Sequence, residues 1–180
     1  MIILASNSPR RKQLLAFGGL PFIVQSVQID EAVCDGEEPG AYVLRLSQEK
    51  AEAARANLYQ AFRADDMIIS ADTSVVLELK ETEIDVAKVL PEFRHLRNDQ
   101  KKQYIILGKP SDDEHATQIL QILRNRTHQV YTGLTVLRIG DGFRQHVVCI
   151  TQVPMRDYQD DEIQSYIASG DPFDKAGAYA

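Results

Sequence analysis

The residues able to do chemistry fall into a few short runs, and the first stands near the start of the chain. Ser6-Asn-Ser-Pro-Arg-Arg11 follows an apolar run at 1–5 and leads into Leu14 and Leu15. Ser8 suits a helix N-cap, and Pro9 suits the first helical position, where its missing N–H costs nothing. The N–H groups of that first turn, the positive end of the helix dipole, the hydroxyls of Ser6 and Ser8, and the guanidinium groups of Arg10 and Arg11 would converge on one small volume. Phosphate is the natural occupant. An ordinary capped helix with solvated arginines accounts for the same residues.

Carboxylates and further cations follow. Asp72 and Thr73 come directly after the apolar run 67–71, at a strand end, where open α/β sheets place their ligands. Glu31 closes a second expected strand, and Asp174 is a third candidate acid. Lys50, Lys109 and Lys175 join the two arginines as cations, with Lys109 in a tight Gly-Lys-Pro turn. Breaking a phosphoanhydride needs neutralised charge, an attacking water and a group to orient or deprotonate that water, and these residue types supply all three. Oxygen ligands suit Mg²⁺ or Mn²⁺, with Asp72 and Glu31 as the candidate ligands. Each residue also has a plainer reading: a turn or cap aspartate at 72, a solvated turn glutamate at 31, surface lysines at 50 and 175. The four histidines lack metal-ligand spacing, and His128 reads as packing or capping at a strand start. Neither a Gly-x-Ser-x-Gly elbow nor a Gly-x-x-x-x-Gly-Lys loop occurs.

Apolar runs and turn residues suggest the elements that must hold these groups. Strands are expected at 1–5, 22–29 and 67–71. A first helix should be stopped by a left-handed cap at Gly18-Gly19, and a second should run from 40 to about 62 with Val43, Leu44, Leu46, Ala51, Ala54 and Leu58 on its inner side. Ser111-x-x-Glu114 reads as a capping box opening a helix through Leu123. A hairpin at 129–139 and 143–153 turns at Gly140-Asp-Gly142, and a last helix at 159–169 stops at Gly170. Early alternation of strands and helices with a late hairpin indicates an α/β domain with a mixed sheet.

Composition narrows the functional classes. A chain of 180 residues, 44% hydrophobic, can bury a core as one domain, residues 1–180. Its net charge of −6 argues against nucleic acid or an anionic membrane as a general partner. Two cysteines, Cys34 and Cys149, make neither a disulfide framework nor a zinc site, and no leader or membrane-spanning run is evident, so a soluble, cytoplasmic protein is expected.

The whole pattern resembles a known family. Ala5-Ser-Asn-Ser-Pro-Arg-Arg11 with Leu14-Leu15, then Ile29-Asp-Glu31, Arg45-Leu-x-x-x-Lys50-Ala51, Ala71-Asp-Thr73, Leu107-Gly-Lys-Pro110, His128-x-Val-x-Thr-Gly133 and Asp174-Lys-Ala-Gly-Ala-Tyr179 are similar, block by block and in order, to the motifs of the Maf family of nucleoside triphosphate pyrophosphatases, once described as septum formation inhibitors. The resemblance implies a two-lobed mixed sheet with flanking helices, like that of inosine triphosphate pyrophosphatases, with the active cleft between lobes. It implies hydrolysis of a nucleoside triphosphate to the monophosphate and pyrophosphate with a divalent metal, Mg²⁺ or Mn²⁺. Asp72, Glu31, Lys50 and Lys109 would then be catalytic, with Asp72 the proton acceptor. Ser6, Ser8, Arg10, Arg11, Thr73, Asp174 and Lys175 would bind substrate. Arg10 and Thr73 match the subgroup associated with dTTP and UTP, whereas the 7-methyl-GTP subgroup tends to carry Trp and Gln there. A homodimer is also implied. The rival from another class is a catalytically weak nucleotide-binding regulator acting in cell division or septum formation. Two departures from the family pattern stand out: a charge-rich excursion of some two dozen residues at 81–104, where the family has a short turn, and an end at Ala180, shortly after the last block, where family members continue. The second departure leads to the expectation of an exposed strand edge and a tendency to associate.

Overall fold

A computed structural model describes residues 1–58, 62–79 and 103–179. In chain order these form β1 (Ile2–Leu4), α1 (Pro9–Phe17), β2 (Phe22–Val24), α2 (Pro39–Ala56), β3 (Met67–Leu79), β4 (Gln103–Leu107), α3 (Asp113–Leu123), β5 (Thr127–Arg138), β6 (Arg144–Pro154) and α4 (Asp160–Ala168), followed by single 3₁₀ turns at Asp171–Asp174 and Ala176–Ala178. The strands make a six-stranded mixed sheet in the order β2-β1-β3-β5-β6, with β4 paired to β3. β1 runs parallel to β2 and β3, and β4 runs antiparallel to β3. The α/β class with a mixed sheet and flanking helices is therefore present as expected. The excursion expected at 81–104 lies outside the described residues except for its last two, which begin β4.

The chain divides into two compact units. The first comprises Met1–Thr73 and Thr132–Cys149, the second Ser74–Tyr131 and Ile150–Ala180. In the first, Ile3, Ala5, Ala51, Ala54, Ile68 and Leu137 form the buried cluster, so β1, β3 and β5 pack against the apolar stripe of α2. Gly133 of β5 is needed there: a Cβ on it would lie 2.3 Å from the carbonyl oxygen of Val43, inside the backbone of α2. Helix and strand are in direct main-chain contact. In the second unit, Val75, Leu77, Ile105, Leu107 and the inner faces of α3 and α4 form a larger cluster with Tyr158 and Ala178.

Several boundaries differ from the sequence expectation, each for a physical reason. The strand expected at 22–29 stops at Val24. Past it, Gln25 turns inward and donates from Nε2 to the Ala54 and Asn57 carbonyls at 2.9 and 3.0 Å. α2 begins at Pro39, which holds the first helical position, and ends at Ala56, capped by the side chain of Asn57 on the Ala53 carbonyl. α1 is capped by Ser8 as expected, but its left-handed terminator is Gly19 alone (φ +67°), because Gly18 stays helical. α1 buries no residue, and Leu14 and Phe17 are exposed. The cap of α3 is Asp112, not Ser111: its Oδ1 accepts the His115 N–H at 2.8 Å, while the Ser111 hydroxyl binds the other carboxylate oxygen. The capping box belongs instead to α4, between Gln159 and Glu162.

β3 is the consequential difference. It does not end at Ala71 but continues unbroken through Asp72 and Thr73 to Leu79. Polar residues inside a strand can be mistaken for its end. Here Ser70, Asp72 and Ser74 are all buried and fall on one face at period two. Asp72 is therefore a mid-strand residue.

Candidate active site

In the first unit, β3 and α2 meet through a polar ladder. Ser47 and Lys50 are three residues apart on α2 and so share one of its faces. Ser70 and Asp72 are two apart on β3 and so share one of its faces. The Ser70 hydroxyl donates to the Ser47 carbonyl at 2.5 Å, and Lys50 Nζ donates to Asp72 Oδ1 at 2.7 Å. Glu31 Oε1 sits 2.7 Å from the same Nζ. The two acids and the lysine that the motifs single out are thus one cluster, with Lys50 between the carboxylates.

The two ion pairs differ in weight. The Lys50 and Asp72 side chains are 12% and 11% exposed, so removing one partner would strand a charge in a nearly dry place, a loss of about 3–5 kcal/mol. Glu31 is 55% exposed, and a pair of that kind contributes roughly 0–1 kcal/mol. Among the described residues no donor other than Lys50 meets the Asp72 carboxylate through a hydrogen bond, and Oδ2 is not sealed from solvent.

The opposite face of β3 meets the Ser6 turn. Arg11 donates from Nη1 to the Ala71 carbonyl at 2.7 Å and to Ser6 Oγ at 3.3 Å, and from Nη2 to Thr73 Oγ1 at 3.2 Å. Thr73 is shared with Thr132 of β5 at 3.2 Å. Burial pulls the Arg11 guanidinium below its ordinary value while Asp72 and Glu31 pull it back up, which places that cation in the field of both acids. Ser6 Oγ accepts the Ser8 N–H at 3.2 Å and Ser8 Oγ accepts the Arg11 N–H at 3.5 Å. Both hydroxyl protons remain available to donate to an anion. Arg10 is exposed at the start of α1. The expected phosphate turn therefore splits its two arginines: Arg11 braces the turn onto β3, and Arg10 faces solvent.

The second unit holds the remaining candidates. Lys109 is exposed in the turn after β4. Lys175 is buried, with Nζ on the Asp171 carbonyl, 3.0 Å from Asp171 Oδ1 and 2.7 Å from Asp174 Oδ1, so all three of its N–H donors have acceptors. Gly177 ties this turn to the Lys109 turn by donating to the Gly108 carbonyl at 2.9 Å. It sits at φ +69°, with Val75 2.7 Å from where a Cβ would be. His128, expected to pack or cap at a strand start, lies inside β5, buried. Its Nε2 is 2.5 Å from the Tyr179 hydroxyl, and desolvation pushes the imidazole down to about 4.

Among the described residues no group of three or more His, Cys, Asp or Glu is arranged to hold a metal ion. Asp72 and Glu31 brought to one lysine do fit a hard cation that takes one or two carboxylates and completes its shell with substrate phosphate. Two residues absent from the expected site attend Glu31. The Tyr42 hydroxyl donates to the Glu31 carbonyl at 2.8 Å, and Arg45 reaches the next carbonyl, that of Ala32, at 2.9 Å. Arg45 opens the Arg45-Leu-x-x-x-Lys50 block, and Tyr42 lies three residues before it, a spacing that puts the two on one face of a helix.

Similarity to known proteins runs along the whole chain. The family described as Maf-like protein matches residues 1–180. A dTTP/UTP pyrophosphatase of Moorella thermoacetica is 37% identical over 178 residues, covering 99% of this chain and 76% of its own length. Proteins of the same name from Agathobacter rectalis and Desulforamulus reducens are 38% and 35% identical, each over 99% of this chain and over 80% and 78% of their own lengths. Protein VC0702 of Vibrio cholerae, a solved structure, aligns over 94% of this chain and 76% of that one, with a TM-score of 0.40 and 9% identity.

Proposed function

We propose, from the premise that this chain belongs to the Maf-like protein family, that it hydrolyses nucleoside triphosphates to the monophosphate and pyrophosphate, with dTTP and UTP as favoured substrates. The observation that carries the chemistry is Lys50 of α2 held between Glu31 and Asp72, the latter on the strand that Arg11 braces. Its relatives' name supplies the substrate class.

In this reading the triphosphate is bound by the Ser6 and Ser8 hydroxyls, Arg10 and the positive end of α1. Water attacks the α-phosphorus, the new P–O bond forms in line, and the bond from that phosphorus to the bridging oxygen breaks. Asp72 takes the water's proton on Oδ2, since Oδ1 is occupied by Lys50. Lys50 holds Asp72 in place before the step and neutralises charge on the phosphoryl oxygens during it. Asp72 and Glu31 would hold Mg²⁺ or Mn²⁺, which would supply Lewis-acid polarisation of a phosphoryl oxygen. Arg10 and Thr73 belong to the base-selective part of the site.

The test is pyrophosphate release from dTTP, UTP, ATP and 7-methyl-GTP, with each metal and with chelator. Release from the two pyrimidine nucleotides above the others is expected. Tight nucleotide binding without release under every condition would overturn the enzymatic reading in favour of a regulatory one.

A further inference from the structure

The segment 31–37, which begins with Glu31, has neither helix nor strand, and most of its side chains are exposed. Its backbone is nonetheless bound at Glu31, Ala32, Cys34 and Glu37. Asp30 Oδ1 accepts the Ala32 N–H at 2.9 Å. The Glu31 carbonyl accepts the Tyr42 hydroxyl, and the Ala32 carbonyl accepts Arg45 Nη2. A turn is closed by the Glu37 N–H on the Cys34 carbonyl at 3.0 Å, with Gly36 at φ +70°. The Glu37 carboxylate accepts the Cys34 N–H at 3.1 Å and takes the fork of Arg45 from Nε and Nη2 at 2.7 and 2.8 Å. That guanidinium also lies over the Tyr42 ring, 5.6 Å from its centre.

The pair with Lys50 cannot by itself hold Glu31 in place. The Glu31 side chain is more than half exposed, and an exposed ion pair in water constrains its partners weakly. Placement must come from the backbone on either side of it. Tyr42 is buried, Arg45 is about a quarter exposed and Glu37 less, and together they grip the two peptide carbonyls at Glu31 and Ala32. Both gripping residues lie on α2, the helix that also carries Lys50.

We propose that Tyr42 and Arg45 are positioning residues, clasping the Glu31-Ala32 backbone to α2 so that the Glu31 carboxylate is delivered to Lys50 and Asp72. The Arg45 end of the clasp is a charged fork: its guanidinium holds the Glu37 carboxyl down at about 2. The inference rests on the reading of Glu31 as a working residue, and the experiment separates the two.

Tyr42→Phe and Arg45→Gln, in the full chain, are compared for amide hydrogen exchange of 31–37 and for pyrophosphate release from dTTP, alone and combined with Glu31→Gln. Exchange across 31–37 should quicken about tenfold or more, the effect of one lost hydrogen bond, with α2 and β3 unchanged. kcat should fall by about tenfold with KM less affected, and neither substitution should add to the loss in a Glu31→Gln background. Arg45→Lys should not rescue, because an ammonium lacks the fork. Unchanged exchange at 31–37, or losses that multiply with that of Glu31→Gln, would overturn the proposal. If Glu31→Gln alone leaves turnover intact, the reading of Glu31 fails and the catalytic half of the proposal fails with it, while quickened exchange still upholds the clasp.

Discussion

Lys50 and Lys175 are both largely buried and both lie between two carboxylates, yet the two arrangements are built differently. Lys50 draws its acids from far along the chain: Asp72 from the middle of a strand and Glu31 from a separate loop. Lys175 draws on residues one and four positions before it, both well exposed, and on a backbone carbonyl in the same turn. A local tie of that kind forms whenever the turn forms, and it consumes every donor the lysine has. The Lys50 cluster exists only if α2, β3 and the 31–37 loop are assembled, and Asp72 keeps an oxygen for another partner. The first lysine depends on tertiary assembly, the second only on its own turn.

That contrast can be broken most directly at Asp72. Asp72→Asn should lower pyrophosphate release by roughly 10²–10⁴-fold with circular dichroism unchanged, the usual range for a lost general base. Asp171→Asn, its counterpart beside Lys175, should leave turnover within severalfold, and an equal loss there would erase the distinction. Next in size is Gly177→Ala, which would put a methyl into Val75 at a left-handed φ and should destabilise by about 3 kcal/mol in urea denaturation. Replacing the two lysines sharpens the comparison further. Lys50→Met should lower kcat/KM and also cost about 3–5 kcal/mol of stability, by leaving the Asp72 carboxylate buried without its partner, whereas Lys175→Met, whose two carboxylates are well exposed, should cost about 1.5–3 kcal/mol, the worth of hydrogen bonds to a charged group.

The effect smallest at neutral pH is a pH dependence of the second unit. The His128 imidazole titrates near 4 when folded, against an ordinary value of about 6.5 in the unfolded chain. Between those values the unfolded chain binds the extra proton, so this contribution is complete above pH 6.5 and lost as pH falls toward 4. It should amount to about 3 kcal/mol, and His128→Gln should flatten that part of the pH–stability curve.

The sequence disclosed the site's membership better than its construction. Ser8, Pro9 and the two arginines announce a capped helix start because those preferences are local. Lys50 and Asp72 could be named from their motifs, but nothing local tells that Ser47 and Ser70 run beside them as a second rung, or that β3 passes straight through Asp72. A buried aspartate inside a strand is tolerable only because a lysine from another element meets it, and that pairing is tertiary. Arg10 and Arg11 look alike as neighbours on paper. The fold separates them, because only Arg11 can reach the carbonyl of Ala71 and the hydroxyl of Thr73. Likewise, the role of Lys175 as a fully bonded turn lysine follows from where the carbonyl of Asp171 points, which composition does not encode.

Gly133 has a bearing on what a lineage descended from this chain can change. Where its hydrogen sits, even a methyl group would press on the main chain of α2 at Val43 and Leu44. Main chain cannot swing aside as a side chain does, so accommodating alanine means lifting the helix, and Lys50, Arg45 and Tyr42 ride on that helix. One methyl would thus disturb three residues of the candidate site at once. Compensation would require coordinated changes along two elements, which single substitutions do not supply. The position is an evolutionary dead bolt: sequences that keep the lysine between its acids should keep the glycine, and those that lose the glycine should already have lost the chemistry.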